Sequence, residues 1–147
     1  MQAIYAFLAS YGFAILFNVP KKRLFYAGLA GGIGGVAYML CHSLSLSETI
    51  SLFFASLFLS LASEILARVL KCPSTMFLIS ALIPFVPGGG AYYTVLYLIQ
   101  SDNTTALHYG LSTIAQAGAI VFGCVFVTSF FAMIRTMEKK RLESLHN

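Results

Sequence analysis

Long apolar runs, separated by short polar or basic stretches, dominate the pattern of this chain. The runs cover residues 3–19, 24–44, 49–67, 74–100 and 109–134. A helix needs about 20 apolar residues to cross a hydrocarbon core that is about 30 Å thick. The pattern therefore predicts an all-α integral membrane protein, one membrane domain over residues 1–147, with five transmembrane helices and a tail at residues 135–147.

The composition agrees with a protein that lies almost entirely in the bilayer. Hydrophobic residues make up 59% of the chain and charged residues only 10%, whereas a typical soluble domain is about 25% charged. The net charge of +4 does not indicate nucleic acid, because the Lys and Arg residues lie beside the apolar runs. We therefore expect a lipid bilayer around the chain and no nucleic-acid partner.

The positive charges also predict how the chain is oriented. If loops alternate between the two sides, residues 21–23, residues 68–71 and the tail share one side, and this side carries all nine Lys and Arg residues. Basic residues concentrate in cytoplasmic loops, so we expect the N-terminus outside and the C-terminus in the cytoplasm. The first basic cluster follows its apolar run, whereas a cleaved signal peptide has its charges before the run. We therefore expect the first run to be a transmembrane span that is not cleaved off.

The fourth run is interrupted near its middle by two prolines and three glycines. Pro84 and Pro87 have no amide proton, which should free the carbonyls of Ser80 and Ile83. The glycines at residues 88–90 allow backbone conformations that other residues avoid. Because unpaired backbone groups are costly in lipid, such a break is expected where it lines a polar cavity or is buried in protein. The sequence predicts a fourth transmembrane helix that is broken at Pro-x-x-Pro-Gly-Gly-Gly; a purely structural kink is the alternative.

Two segments carry a family resemblance. Residues 73–93, PSTMFLISALIPFVPGGGAYY, resemble the hallmark segment of the bacterial threonine/serine exporter family. Residues 13–20, FAILFNVP, and the Gly-rich stretch from Gly28 are similar to the start of that family's small subunit. The resemblance implies a secondary exporter of small hydrophilic carboxylate metabolites in the bacterial cytoplasmic (inner) membrane, for amino acids such as threonine and serine or dicarboxylates such as succinate. It also implies a heteromer, in which a larger subunit supplies a cytoplasmic domain and five further spans.

The break also predicts where a substrate would bind. Two half-helices, residues 74–85 and 91–100, would meet near the bilayer centre, as in the broken helices of secondary transporters. The free amides that begin the second half-helix suit a carboxylate, and nearby hydroxyls could add hydrogen bonds. The candidate substrate-binding residues are Ser80, Pro84, Pro87, Gly88, Gly89, Gly90, Tyr92 and Tyr93.

Polar and small residues elsewhere in the spans give further candidates. Glu64 is an ionisable residue within a span, and it either pairs with Arg68 one helical turn on or belongs to a proton path. Gln116 could line a polar path or hydrogen-bond between helices. Two glycine pairs in the second span, 28/32 and 31/35, predict close helix packing, either within the chain or against a partner such as a second copy in a homo-oligomer.

No group of residues predicts an enzyme. The three cysteines show no CxxC spacing, which argues against a metal site or a disulfide framework. No Cys, His and acidic residues combine into a catalytic group, so we expect no enzymatic activity, no metal and no cofactor. Apart from transport, the sequence also allows a non-transporting membrane scaffold that stabilises or anchors a partner protein.

Overall fold

The chain folds into six α-helices in a computed structural model that describes the backbone of residues 2–145 and the side chains of residues 2–137. The helices are α1 (Gln2–Leu16), α2 (Leu24–Ser43), α3 (Glu48–Val69), α4 (Thr75–Leu82), α5 (Gly88–Ile99) and α6 (Asn103–Leu145). Short 3₁₀ turns at Lys21–Arg23 and Ile83–Phe85 precede α2 and follow α4. The described residues contain no β-strand, and the predicted all-α class is confirmed.

The helices form a bundle around α4. Helix α1 packs on α2, α2 on α3 and α3 on α6, while α4 contacts α1, α2 and α3. Leu59, Ala81 and Phe85 belong to the larger buried cluster at the centre. Ala14, Phe77 and others form a second cluster towards the start of α4. Helix α5 packs along α6 instead, and none of its residues is buried.

Four of the helices end with the same kind of turn. The second residue after the helix end has a positive φ, and the next amide donates to a carbonyl five residues back, a pattern typical of a Schellman cap. Glycine is the usual residue at this position, yet this chain uses Asn18, Ser45, Lys71 and Ser101, with φ of 57°, 57°, 49° and 61°. The backbone bonds that close these turns are Val19 to Ala14, Leu46 to Cys41, Cys72 to Ala67 and Asp102 to Tyr97.

The glycines of α2 bring α1 unusually close. A Cβ on Gly35 would lie 2.8 Å from the Cβ of Ala6, and one on Gly28 would lie 2.8 Å from the ring of Phe7. At Gly31 a Cβ would overlap the hydroxyl of Ser10. The predicted helix packing through these glycines is confirmed, and the helix they meet is α1 of the same chain.

The bounds of α2 and α3 lie within two residues of the predicted runs, whereas α1 ends three residues before its run and α6 extends beyond its run at both ends. This helix begins at Asn103, where the side chain of Asp102 accepts a hydrogen bond of 3.1 Å from the Thr105 amide. It continues through Leu145 and so includes most of the predicted tail, while the end of the span at residue 134 stays a prediction. The tail contains good helix formers and neither Gly nor Pro, so nothing in it stops the helix. Residues 146 and 147 of the predicted tail lie outside the described residues.

Three of the described helices are long and apolar enough to cross a membrane by themselves. These are the segments Lys21–Ser43, Glu48–Val69 and Asn103–Met137. The pair Thr75–Phe85 and Gly88–Ile99, bent by 46°, makes a fourth if it is one span. Helix α1 is apolar but has 15 residues, or about 22 Å at 1.5 Å per residue. The described residues thus support three or four spans, fewer than the five predicted.

Candidate functional site

The break between α4 and α5 consists of two residues. Val86 has φ −63° and ψ 129°, and Pro87 has φ −75° and ψ 59°, so neither is helical. Val86 is extended because the ring of a following proline disfavours the α conformation of the residue before it. Two consecutive non-helical residues produce the 46° bend between the helices on either side.

The three glycines lie in the first turn of α5 and not in the break. Helix α5 begins at Gly88, three residues before the predicted residue 91, and no glycine among the described residues has a positive φ. The expectation that these glycines adopt conformations closed to other residues is therefore wrong. Their lack of a side chain matters instead. A Cβ on Gly88 or Gly89 would meet nothing within 4 Å, whereas one on Gly90 would overlap the hydroxyl of Thr113 on α6.

Hydrogen bonding at the break leaves amides free. The Gly88 amide donates to the Val86 carbonyl at 2.7 Å, and the Ala91 amide donates to the Pro87 carbonyl at 3.3 Å. Among the described residues, the amides of Gly89 and Gly90 have no hydrogen-bond acceptor. The Ile83 carbonyl, predicted to be free, accepts from the Val86 amide at 3.1 Å, because the chain tightens into a 3₁₀ turn there.

A cavity of about 570 Å³ lies against this break. The chain from Pro84 to Gly90 forms one wall of it, and α1, α2 and α3 complete it through residues such as Ala6, Gly35 and Leu52. The polar side chains among the described lining residues are Gln2, Tyr5, Tyr38, Glu48 and Gln116. Glu48 is the one charged residue of that lining, which contains no Lys or Arg.

This apolar bundle with a broken helix and a cavity at the break can now be compared with known proteins. A family profile described as "Threonine/Serine exporter, ThrE" matches residues 2–130. The chain belongs to the threonine/serine exporter family. The resemblance of residues 73–93 and 13–20 is thereby confirmed.

One relative of this exporter-family chain is a longer protein. An uncharacterized protein of Haemophilus influenzae is 28% identical over 133 residues, which are 82% of this chain and 43% of that protein. The chain therefore spans less than half the length of the curated relative it matches. No solved structure matches it.

The structure brings together only some of the predicted site residues of this exporter-family chain. Pro84, Pro87 and the glycines at residues 88–90 line the cavity. Gln116, predicted as part of a polar path, also lines it; the residue is only 9% exposed, and its Nε2 donates to Ser112 Oγ at 3.4 Å.

Three other predicted residues do not line the cavity. Ser80 is buried, and its hydroxyl donates to the Met76 carbonyl at 3.2 Å within its own helix. Tyr92 is 63% exposed. Tyr93 packs its ring against Tyr109, with 5.3 Å between centroids, and so joins α5 to α6.

Glu64 lies far from the cavity residue Glu48 along α3. It forms an ion pair, but not with the predicted residue. Its carboxylate is 4% exposed and accepts a hydrogen bond of 2.6 Å from Arg135 of α6. The predicted pair with Arg68 is wrong, because the Arg68 guanidinium lies over the ring of Phe131 at 4.5 Å. Helix α6 runs alongside α3 and brings both of these partners to it.

Sequence reasoning missed the wall of the cavity opposite the break. Gln2, Tyr5, Tyr38 and Glu48 belong to α1, α2 and the first turn of α3, and no motif marks them. The available signal was weak: Glu48 is an acidic residue at the start of a span, a position where carboxylates commonly stabilise a helix N-terminus. Only the packing of the helices shows that it faces the same space as the break.

Proposed function

We propose that this chain is one membrane subunit of a heteromeric secondary exporter in the bacterial inner membrane, and that its substrate crosses by way of the cavity at the Pro-Gly break. One observation carries the proposal: the break lines a cavity with polar side chains. In a membrane, a non-helical backbone is tolerated where it is buried in protein or lines such a cavity. The family to which the chain belongs gives the type of activity.

The proposal includes five spans, with α4 and α5 together forming the fourth. Contacts among the basic residues support this count. The Arg23 guanidinium donates to the Leu70 carbonyl at 3.4 Å, and Arg68, Lys71 and Arg135 line one cleft, so the basic groups meet at one end of the bundle. That end would face the cytoplasm, with the N-terminus outside. A reporter inserted near Asn103 should then be active only outside, and one fused after Asn147 only in the cytoplasm.

The cavity favours a zwitterionic substrate. The free amides of Gly89 and Gly90 at the start of α5 suit a carboxylate, and the Glu48 carboxylate suits an ammonium group. A dicarboxylate such as succinate would bring a second negative charge near Glu48 with no cation among the described lining residues. We therefore propose amino acids such as threonine or serine as the substrate class. Glu48→Gln should raise the KM for threonine with a smaller change for succinate, and equal effects on both would contradict this assignment.

The proposed partner is a larger subunit with a cytoplasmic domain and five further spans. The length of the Haemophilus influenzae protein supports it, because this chain corresponds to only 43% of that protein. The exposed face of α5, which includes Val95, Leu98 and Ile99 at 53–76% exposure, is available for contact with it. A homo-oligomer through the glycines of α2 is disfavoured, since those glycines already pack on α1.

Export by co-expressed subunits tests the proposal against a non-transporting scaffold. Cells that contain this chain and the larger subunit should export threonine, and cells with either subunit alone should not. Pro84→Ala combined with Pro87→Ala would let the helix run through the break and should abolish export without reducing the amount of assembled complex. If this double variant assembles and exports normally, the break is only a kink and the cavity is not the substrate path.

A further inference from the structure

A second recess lies at the basic end of the bundle, outside the cavity described above. It has a volume of about 380 Å³ and lies between the end of α3, the start of α4 and α6. Its described lining residues are Ala67, Arg68, Lys71, Cys72, Pro73, Ser74 and Arg135. We call it the basic cleft.

The charges around the basic cleft do not balance. Arg68, Lys71 and Arg135 contribute three positive charges to its lining, and the lining contains no acidic residue. The nearby Glu64 is 3% exposed and is already paired with Arg135. Among the side chains of residues 2–137, these three cations and one carboxylate leave a net charge of +2. Among the side chains of residues 2–137, no carboxylate pairs with Arg68 or Lys71.

Two of the three cations are held in place by their neighbours. Glu64 fixes the Arg135 guanidinium through the 2.6 Å bond, and the Phe131 ring supports the Arg68 guanidinium from one side. Stacking on a ring leaves the N–H groups at the edge of a guanidinium available to an acceptor. Binding an anion here therefore costs less side-chain ordering than at freely moving surface residues.

The start of α4 adds amide donors at the same place. Ser74 lines the basic cleft and precedes the first residue of α4, and its side chain makes no capping hydrogen bond. Within the described part of the chain, the amides of Ser74 and Thr75 have no acceptor. The positive end of the helix dipole thus adds to the field of the three cations.

We propose that the basic cleft binds a phosphate group, carried either by the headgroup of an anionic lipid or by a soluble phosphate compound. Arginine matches the geometry of phosphate oxygens with paired N–H donors. The cleft adjoins the ends of two apolar helices, where basic pockets between transmembrane helices bind lipid headgroups. If the proposed orientation holds, a lipid bound in the basic cleft belongs to the cytoplasmic leaflet. The site itself does not depend on the proposed transport.

Binding by the full chain, purified in detergent, tests the site. Native mass spectrometry would count bound phosphatidylglycerol, with inorganic phosphate as a soluble competitor. Phosphatidylcholine, whose phosphate is balanced by a cationic choline, is the control with zero net charge and should bind more weakly. Arg68→Gln combined with Lys71→Gln should weaken phosphatidylglycerol binding by about tenfold or more. Lys21→Gln combined with Lys22→Gln removes the same charge at the same end but outside the cleft, and should change binding less than about twofold.

The outcomes separate the sources and can overturn the proposal. Displacement of the lipid only at high phosphate concentration supports a lipid headgroup, whereas inorganic phosphate that binds as tightly as the lipid supports a soluble compound. Equal weakening by the two double variants would overturn the proposal, because it would show non-specific attraction. Binding that appears only after Glu138→Gln and Glu143→Gln would also overturn it, because acidic residues of the chain would then occupy the cleft. None of these measurements needs transport.

Discussion

Gly90 and Gly89 are neighbours in α5, yet alanine should have opposite effects at the two positions. A Cβ at residue 89 meets nothing within 4 Å, so Gly89→Ala should keep or slightly raise stability through helix propensity. A Cβ at residue 90 would overlap the Thr113 hydroxyl. That hydroxyl donates to the Tyr109 carbonyl at 2.7 Å, and a branched side chain has few other rotamers in a helix.

The size of the difference follows from these contacts. Overpacking costs about 1–3 kcal/mol, and removing glycine from a helix gains up to about 1 kcal/mol. This gain applies at both positions and cancels in the comparison, so Gly90→Ala should be about 1–3 kcal/mol less stable than Gly89→Ala. Equilibrium unfolding in detergent would measure the difference, and α5 should separate from α6 first.

A second substitution distinguishes steric overlap from other causes. Thr113→Ala removes the overlapping hydroxyl, so the variant Gly90→Ala with Thr113→Ala should recover most of the lost stability, with a coupling free energy of about 1 kcal/mol or more. Purely additive effects of the two substitutions, or equal stability of the Gly89 and Gly90 variants, would refute the close packing of α5 on α6.

Two further predictions concern charged groups. Arg135→Gln should destabilise the protein more than Glu64→Gln, because it leaves a side-chain carboxylate that is 4% exposed without its partner, a loss of about 3–5 kcal/mol at most. Unfolding in detergent would show this order, and the reverse order would contradict the pairing. Hydrogen bonds from the side chain and amide of Thr105 hold the pKa of Asp102 below its ordinary value of 3.8. The Asp102 carboxylate should therefore stabilise the α6 N-terminus above pH 3.8 and lose this effect as the pH falls through the lowered pKa. Asp102→Asn should flatten the pH dependence of the protection of the Thr105 amide against exchange in that range. An unchanged pH dependence of this protection would count against the cap.

The longest apolar helices could be predicted because the physics that forms them is local. Apolar runs of the right length, ended by polar residues, determined α2 and α3 to within two residues. A bend next to Pro87 was also predictable, since a proline disfavours the helical conformation of the residue before it, here Val86. The helical course of residues 135–145 was not predicted, because the positive charges that follow residue 134 indicate a membrane boundary and do not determine secondary structure.

The site was only half predictable, because its two walls come from distant parts of the chain. The Pro-Gly wall is a motif, whereas Glu48 and Tyr38 reach the cavity through the packing of α1 on α2 and of α2 on α3. The prediction that Glu64 pairs with Arg68 failed for a similar reason. Arg68 is the nearest cation in sequence, but α6 runs beside α3 and brings Arg135 closer. The glycines at residues 88–90 suggested unusual backbone angles. What matters instead is that they have no side chain, and the effect of this depends on which residues lie opposite them.

The central claim is that substrate passes the cavity at the break, and filling that cavity tests it most directly. Gly89→Leu adds a side chain at a cavity-lining position where a Cβ has no neighbour within 4 Å. The control is Gly12→Leu in α1, where a Cβ also has no neighbour within 4 Å but the residue does not line the cavity. The measurement is the threonine export rate per assembled complex in cells that also contain the proposed larger subunit. The account predicts that Gly89→Leu lowers the rate about tenfold or more and that Gly12→Leu leaves it unchanged. Equal export by the two variants would contradict the account.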